Sequence, residues 1–389
     1  MKTMAAFAVL VLVASAVPLP AGQRLTRGIF SGRSRAARAA AVGGEAGTSE
    51  AAEKAVAAGL QWLAKAQEDD GRWSCEKWGG RAGMDTGISG LALLAILGAG
   101  HTHTSGPFQP TVRKGLGWLE EQLEPKGRFK MKTFYEQGIA TMALCEAYGL
   151  TRDPRVGKAA RSALRHIIQE QPDHGGFRYT GGVARDQGDL SVSGWQMTAL
   201  ALGRCAGLTV PQAAVDRSRR LLGNAWRGHG GSAYTVGSDN AGSLAVSSIG
   251  MLCRMLLGNE KHDDEIHQTA NLLFDKETND GQVVEGGRTK QLVTNLYYTY
   301  YASLAMFQAG DGYWTKWNAM YREPLAKAQV QAERDAKGRF TRGSWDPAKH
   351  RFAKGAGRVY ATAMAVLCLE TCYRFRRVYP KTILPQAEF

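Results

Sequence analysis

Two kinds of helical segment alternate along this chain. The first kind is amphipathic, and its clearest copy covers residues 59–73, where Leu60 and Leu63 share one face at helical spacing. An Asp-Asp-Gly turn should end this helix, because Gly71 can take the positive φ at which helices commonly stop. Trp73 follows the turn as an aromatic plug. One such helix cannot bury its apolar face alone, so the pattern should recur.

Further copies follow at intervals of about fifty residues, as expected of a repeat architecture. They cover residues 114–129, 163–177, 221–234, 272–281 and 314–345. Gln67 of the first copy is placed to hydrogen-bond with backbone groups of its own or a neighbouring element. The matching glutamines are Gln122, Gln171 and, in the sixth copy, Gln331. The fourth copy is degraded and places Tyr234 after its glycine pair.

The second kind of segment is small and apolar nearly all round, which is typical of a buried helix. Its six members start near Asp85, Tyr135, Asp189, Asp239, Asn295 and Tyr360. Six outer amphipathic helices alternating with six buried ones predict an all-α fold, an (α/α)6 toroid of six helical hairpins. The length alone would suggest two or three domains, but repeats that need their neighbours predict one closed ring.

The first copy also carries a resemblance to a known family. Gly-Leu-Gln-Trp-Leu-Ala-Lys-Ala-Gln followed by Gly-Arg-Trp resembles the QW repeat of the prenyltransferase and squalene/hopene cyclase superfamily, with Ala58 in place of the usual leading Lys or Arg. Residues 189–200 resemble the inner helix of that family, and residues 343–363 are similar to the ends of its single-toroid bacterial members. The resemblance covers about residues 50–378 and implies a toroid with an apolar, isoprenoid-like ligand in its central cavity.

The ends of the chain differ from the repeats in composition. Residues 1–21 carry Lys2, an apolar run and an Ala-Ser-Ala site, the layout of a secretory signal peptide. An uncleaved N-terminal membrane anchor is the alternative. Residues 22–50, rich in Arg, Ala and Gly, predict a disordered linker. The toroid domain then spans residues 51–378, and a short tail spans residues 379–389. The signal peptide predicts an exported protein, periplasmic or secreted.

The charge of the chain is strongly basic. Residues 1–50 carry six basic and two acidic residues, so the remaining body has a net charge of +10. Such a surface favours acidic or anionic neighbours, including a peripheral membrane or cell-envelope contact. No basic cluster is interleaved with stacking aromatic residues, so no nucleic-acid partner is predicted. The six cysteines lie mostly within buried-helix patterns, which favours thiols in the core over disulfides.

Several chemical motifs of the superfamily are absent from the sequence. The Asp-x-Asp-Asp motif that supplies the acid of the cyclases is missing, as are the Asp-Asp-x-x-Asp motif for magnesium diphosphate and the Asp-x-Cys pair for zinc. His101 and His103 have no evident third ligand. We therefore predict no metal and no cofactor.

Acidic residues at the starts of the inner helices are the candidate catalytic groups: Asp189, Asp85, Glu136 and Asp239. A ring would bring these helix ends to one mouth of the cavity, where crowded carboxylates raise the pKa of one another. N-capping or a first-turn charge is the alternative reading of each.

Aromatic residues on the inner helices are the candidate ligand-binding groups: Trp195, Tyr135, Tyr297, Tyr300, Tyr301 and Tyr360. Aromatic faces stabilise carbocations, as a terpene cavity requires, whereas core packing with satisfied hydroxyls is the alternative. Three functions remain open: a cyclase relative that holds an apolar ligand, a non-catalytic scaffold for a protein or cell-wall partner, and a polysaccharide lyase acting on an acidic polymer.

Overall fold

The computed structural model describes residues 29–44, 47–180, 188–258, 263–278, 282–285 and 288–378. The predicted signal peptide and C-terminal tail lie outside these residues, as does the Asp280-Gly281 turn of the fifth copy.

Helices dominate the described residues, and two kinds alternate along the chain. A short N-terminal helix, α1 (Arg35–Ala41), precedes the ring. The outer helices are α2 (Glu50–Ala66), α4 (Gln109–Glu121), α6 (Pro154–Glu170), α8 (Gln212–Ala225), α10 (Asp263–Lys276) and α12 (Asp311–Lys327). The inner helices are α3 (Asp85–Gly98), α5 (Phe134–Thr151), α7 (Leu190–Cys205), α9 (Leu244–Leu256), α11 (Leu296–Ala309) and α13 (Ala353–Leu369), and the last is followed by α14 (Thr371–Arg374).

The inner helices form a closed ring. Each packs against the next in sequence, and α13 returns to pack against α3. The outer ring closes in the same way, since α12 packs against α2. Nearly every residue of the inner helices is buried, which explains why their sequences are apolar on all sides. The predicted α/α toroid is confirmed.

The glutamines of the first, third and sixth repeats join two outer helices, whereas the Gln122 amide turns back to the Trp118 carbonyl of its own helix. The Gln67 amide donates to the carbonyl of Thr111 in α4 at 3.0 Å, and the Gln171 amide donates to that of Ala214 in α8 at 3.2 Å. In the sixth repeat this role falls to Gln329, which donates to Ala55 in α2 at 2.7 Å. The prediction of Gln331 was wrong, because its amide turns back to the Gln329 carbonyl.

The turn glycine of each repeat permits a close approach between repeats. Gly71 has φ +97°, and a Cβ there would lie 2.4 Å from the carbonyl oxygen of Lys114 in the next outer helix. Gly343 of the last repeat has φ +89° and stands in the same relation to Ala58 of the first. Only glycine combines this φ with this contact, so the same residue type builds each junction, including the one that closes the ring.

A small antiparallel sheet interrupts the helical pattern between α10 and α11. Its strands are β1 (Glu277–Thr278), β2 (Gln282–Glu285) and β3 (Arg288–Gln291), with Val283 opposite Lys290. The helical period breaks here because a short β-branched run replaces it. The sheet is an insertion in a fold that is otherwise all-α.

Part of the predicted disordered linker is folded against the ring. A 3-10 turn at Ser31–Arg33 and α1 lie across the C-terminal ends of inner helices. Arg33 donates to the Leu97 carbonyl at 3.2 Å and forms a salt bridge of 2.6 Å with Glu146. Arg33 and Arg38 of the predicted linker thus pair with acidic side chains and helix-end carbonyls. We call this end of the ring the floor.

Two further expectations concern the core and the membrane. The cysteines are free thiols; Cys372 is half-buried and the other five are buried. Within the described residues no helix is both long and apolar enough to cross a membrane.

Candidate functional site

A cavity of about 830 Å³ opens at the N-terminal ends of the inner helices. First-turn residues of α3, α5, α7, α9 and α11 contribute to its wall, so these helices run away from one mouth towards the floor. Aliphatic side chains form much of that wall: Met84, Ile88, Leu91, Ile139, Leu244 and Val246. A largely apolar concave site of this size suits a small-molecule ligand.

Aromatic rings complete the wall. Of the six residues predicted to bind a ligand, four line the cavity: Tyr135, Trp195, Tyr297 and Tyr360. The other two lie behind Trp195, with Tyr300 stacked on its ring at 5.7 Å and Tyr301 edge-on at 5.3 Å. Tyr300 is held from the floor side by Arg374, which donates to its hydroxyl at 3.1 Å. Tyr300 and Tyr301 thus support the wall and do not form its surface.

Two polar atoms in this aromatic group lack a partner among the described residues. The Trp195 Nε1 and the Tyr301 hydroxyl are both buried without a hydrogen bond. Burial raises the pKa of Tyr297 and of Tyr301 well above the ordinary tyrosine value, so both hydroxyls stay protonated. The wall therefore presents neutral aromatic surface.

A hydrogen-bond network lies at one side of the mouth and centres on Ser191. The Tyr135 hydroxyl is 2.5 Å from the Ser191 hydroxyl, which is also 3.1 Å from that of Tyr234. Tyr234 in turn is 2.6 Å from the hydroxyl of Tyr179. Ser191 also donates to the Asp189 carboxylate at 2.7 Å. The sequence pattern did not single out Ser191, because a serine in a first helical turn is usually a capping residue.

Three of the four acidic candidates do not line the cavity. Asp189 turns back onto its own helix as the N-cap of α7 and accepts from the Ser191 N–H at 2.8 Å. Asp85 accepts from the Cys75 N–H at 2.8 Å and from Arg72 at 3.1 Å. Asp239 is exposed in a loop five residues before α9, so the predicted start of that helix was too early.

Glu136 is the one acidic candidate in the cavity wall. Its Oε1 accepts from the N–H groups of Lys132 and Thr133, and its Oε2 from that of Gly87 at 3.1 Å. Burial raises the pKa of Glu136, against the effect of these three hydrogen bonds. This carboxylate ties α5 to α3, so its oxygens are already committed to structure.

The rim of the mouth carries the exposed aromatic residues of the protein. Among the described residues, the exposed large hydrophobic side chains are Tyr179, Tyr234 and Phe352, and all three line this cavity. Tyr234, which follows the glycine pair of the degraded fourth copy, is therefore exposed at the rim and not buried in the repeat core. The carbonyls of Tyr179 and Tyr234 accept from the first N–H groups of α5 and α7, which fixes both loops at the mouth.

Metal ligation finds no support in the described residues, where no three His, Cys, Asp or Glu side chains come together. His103 lies on the outer face, 2.9 Å from Asp153, and His101 packs edge-on against Phe108.

The architecture and the cavity define a single-ring α/α toroid with a ligand-sized central site. The chain belongs to the family described as a domain of unknown function (DUF6288), whose model matches residues 52–367. No curated protein matches the chain.

Solved structures with the same fold act on different substrates. A variant of the α-1,6-mannanase GH76A of Salegentibacter sp. HEL1_6, in complex with α-1,6-mannotriose, is 9% identical with a TM-score of 0.59, over 83% of this chain and 99% of that one. A variant of the type II terpene cyclase MstE from Scytonema, in complex with geranylgeranyl dihydroxybenzoate, is 11% identical with a TM-score of 0.58, over 83% and 97%. An α-amylase from Clostridium perfringens is 11% identical with a TM-score of 0.58, over 82% and 97%.

At this identity the likeness shows the fold alone. The resemblance to the cyclase superfamily therefore holds for the toroid, which glycan-acting proteins share, and the choice among activities rests on the chemistry of the site.

Proposed function

We propose that this protein binds an apolar, isoprenoid-like ligand in its central cavity. One observation carries the proposal: the wall joins aliphatic side chains to the rings of Trp195, Tyr297 and Tyr360, and its one carboxylate among the described residues already accepts three backbone hydrogen bonds. Removing apolar ligand surface from water favours binding by about 25 cal/mol per Å².

The arrangement of carboxylates supports this ligand over a hydrolysed glycan. Glycoside hydrolysis generally uses two carboxyl groups that flank the scissile bond. In the described cavity wall only Glu136 carries a carboxyl group. Asp189 is a buried helix cap, so the proposal is ligand binding and does not include proton-initiated cyclisation.

A glycan ligand is the second candidate, and the exposed rim tyrosines favour it. The hydroxyls of Tyr179 and Tyr234 are hydrogen-bonded to each other at the mouth, and such exposed rings suit stacking against a sugar. This alternative predicts that oligosaccharides bind in the cavity and that isoprenoids do not.

The test measures binding of squalene, geranylgeraniol and α-1,6-mannooligosaccharides to the purified protein, by calorimetry and by mass spectrometry of co-purifying lipids. Ile139→Trp places a large ring at the cavity wall and should weaken isoprenoid binding about tenfold or more. Ile168→Trp, on the half-buried face of an outer helix, is the matched control and should bind like the wild type.

The outcomes separate the two candidates. Isoprenoid binding that Ile139→Trp weakens and Ile168→Trp preserves supports the proposal. Binding of the oligosaccharides alone assigns the cavity to glycans. Equal binding by wild type and Ile139→Trp would overturn the cavity as the site.

A further inference from the structure

The mouth of the cavity carries a positive charge that an apolar ligand does not explain. Three cationic side chains line it, Arg81, Lys132 and Arg351, against the single carboxylate of Glu136 in the described lining. Glu136 accepts hydrogen bonds from backbone groups and forms no salt bridge with a described residue. The described mouth therefore has a local excess of cations.

These cations lie on adjoining loops at one edge of the mouth. Lys132 donates to the carbonyl of Ala82 at 2.6 Å, next to Arg81 in the chain. The Arg81 N–H donates to the carbonyl of Gly355 at 2.9 Å, in the first turn of α13, and Arg351 lies in the turn just before that helix. The contacts connect all three cationic residues through neighbouring backbone, on the side formed by α3, α5 and the start of α13.

Arg81 and Lys132 have capacity for a further partner. Neither forms a salt bridge with a described carboxylate, and both are exposed at the mouth. An anion held there would keep contact with water, so binding would avoid the large desolvation cost of a buried charge.

Phe352 stands beside these groups in a conformation that bulky residues rarely adopt. Its φ is +66° and 57% of its surface is exposed, while the Arg351 guanidinium lies 5.1 Å from its ring centre. A non-glycine residue in this region stores backbone strain, which is found mainly at functional sites. Its ring marks the boundary between the apolar wall and the cationic edge.

We propose that the ligand is an anionic amphiphile, with its apolar chain in the cavity and a carboxylate or phosphate head group at Arg81, Lys132 and Arg351. This inference rests on the proposed function and adds the chemistry of the head group. An apolar chain alone would leave the cationic edge without a role.

The experiment compares three probes that share one chain: farnesol, farnesoic acid and farnesyl phosphate, with inorganic phosphate as the chain-free probe. Calorimetry at low and high salt measures each affinity. The wild type should bind the anionic probes about tenfold more tightly than farnesol, and salt should reduce that preference. The ratio of the affinities for farnesoic acid and farnesyl phosphate identifies which head group the site prefers.

Variants assign the preference to these residues. Arg81→Ala combined with Lys132→Ala should remove most of the preference for the anionic probes over farnesol. Lys126→Ala combined with Arg128→Ala removes the same charge from an exposed turn outside the cavity and should preserve the preference. Arg81→Lys keeps the charge and should retain most of it, and thermal melting checks that each variant is folded.

Each outcome bears on a different claim. Equal affinity for farnesol and the anionic probes would overturn the head-group inference and leave the proposed function standing. No binding of any farnesyl probe would overturn the proposed function itself. Inorganic phosphate binding as tightly as farnesyl phosphate would show an anion site independent of the cavity, which also overturns the amphiphile.

Discussion

Two buried glutamates at the floor of the ring differ in the partners of their carboxyl groups. Glu146 forms salt bridges with Arg33 at 2.6 Å and with Arg374 at 2.7 Å, so its charge is paired on both sides. Glu370 is equally buried, yet neither of its carboxyl oxygens has a hydrogen-bond partner in the described part of the chain. Burial raises the pKa of Glu370 well above 4.5, although Arg374, Arg38 and Arg33 oppose the shift.

This difference predicts a pH-dependent stability. Above about pH 4.5 an unfolded chain releases the Glu370 proton while the folded protein keeps it, so stability falls as pH rises towards the raised pKa. Glu370→Gln should remove that decline, and its melting temperature should exceed that of the wild type increasingly between about pH 5 and pH 8. Glu124→Gln, at an exposed position, should follow the wild type. Parallel curves for wild type and Glu370→Gln would show that Glu370 is charged in the folded state.

At the scale of the element, three outer helices, α2, α4 and α8, each accept a hydrogen bond from a glutamine amide of the preceding repeat. Gln329 donates to the carbonyls of Ala55 and Gly343, at 2.7 and 2.9 Å, and is buried. Trp345 adds a second tie, since its indole N–H donates to the Leu325 carbonyl at 2.9 Å. These bonds hold a helix, its turn and its neighbour in one register.

Gln329→Ala should destabilise the protein by about 1–3 kcal/mol, because it removes two buried hydrogen bonds. Gln331→Ala is the matched control, two residues away and exposed, and should change stability by less than about 0.5 kcal/mol. Chemical denaturation measures both. Similar small costs for the two variants would mean that the repeat glutamine does not join the helices.

At the scale of the whole molecule, closure distinguishes this toroid from an open array of repeats. The packing of α13 on α3 and of α12 on α2 makes the last repeat a neighbour of the first. In an open array each repeat contacts only its sequence neighbours, and removing a terminal repeat leaves the others folded. In a ring the same deletion exposes two interfaces.

Deleting residues 313–389 should therefore abolish cooperative thermal unfolding, as followed by circular dichroism. Deleting only residues 379–389, which follow the ring helices, should leave the transition sharp and near the full-length temperature. A sharp transition in the larger deletion would contradict closure as the source of stability.

The sequence by itself determined the elements and their order. The helical period of Leu60 and Leu63, the turn at Gly71 and the recurrence of both specify outer helices. The inner segments are apolar on all sides, so they must be buried, and an inner ring surrounded by the outer helices buries them. These features are local and repeated, so a linear pattern is enough to find them.

Tertiary structure decided which side chains reach the site. Asp189 and Glu136 occupy similar helix starts, yet the first caps its own helix and the second bridges to Gly87 in the cavity wall. Phe352 reaches the mouth through a backbone conformation that no helical or strand period indicates. Arg33 is buried because Glu146, more than a hundred residues away in sequence, faces it across the floor. Long-range geometry fixes these positions, because the direction of a side chain depends on partners that are distant along the chain.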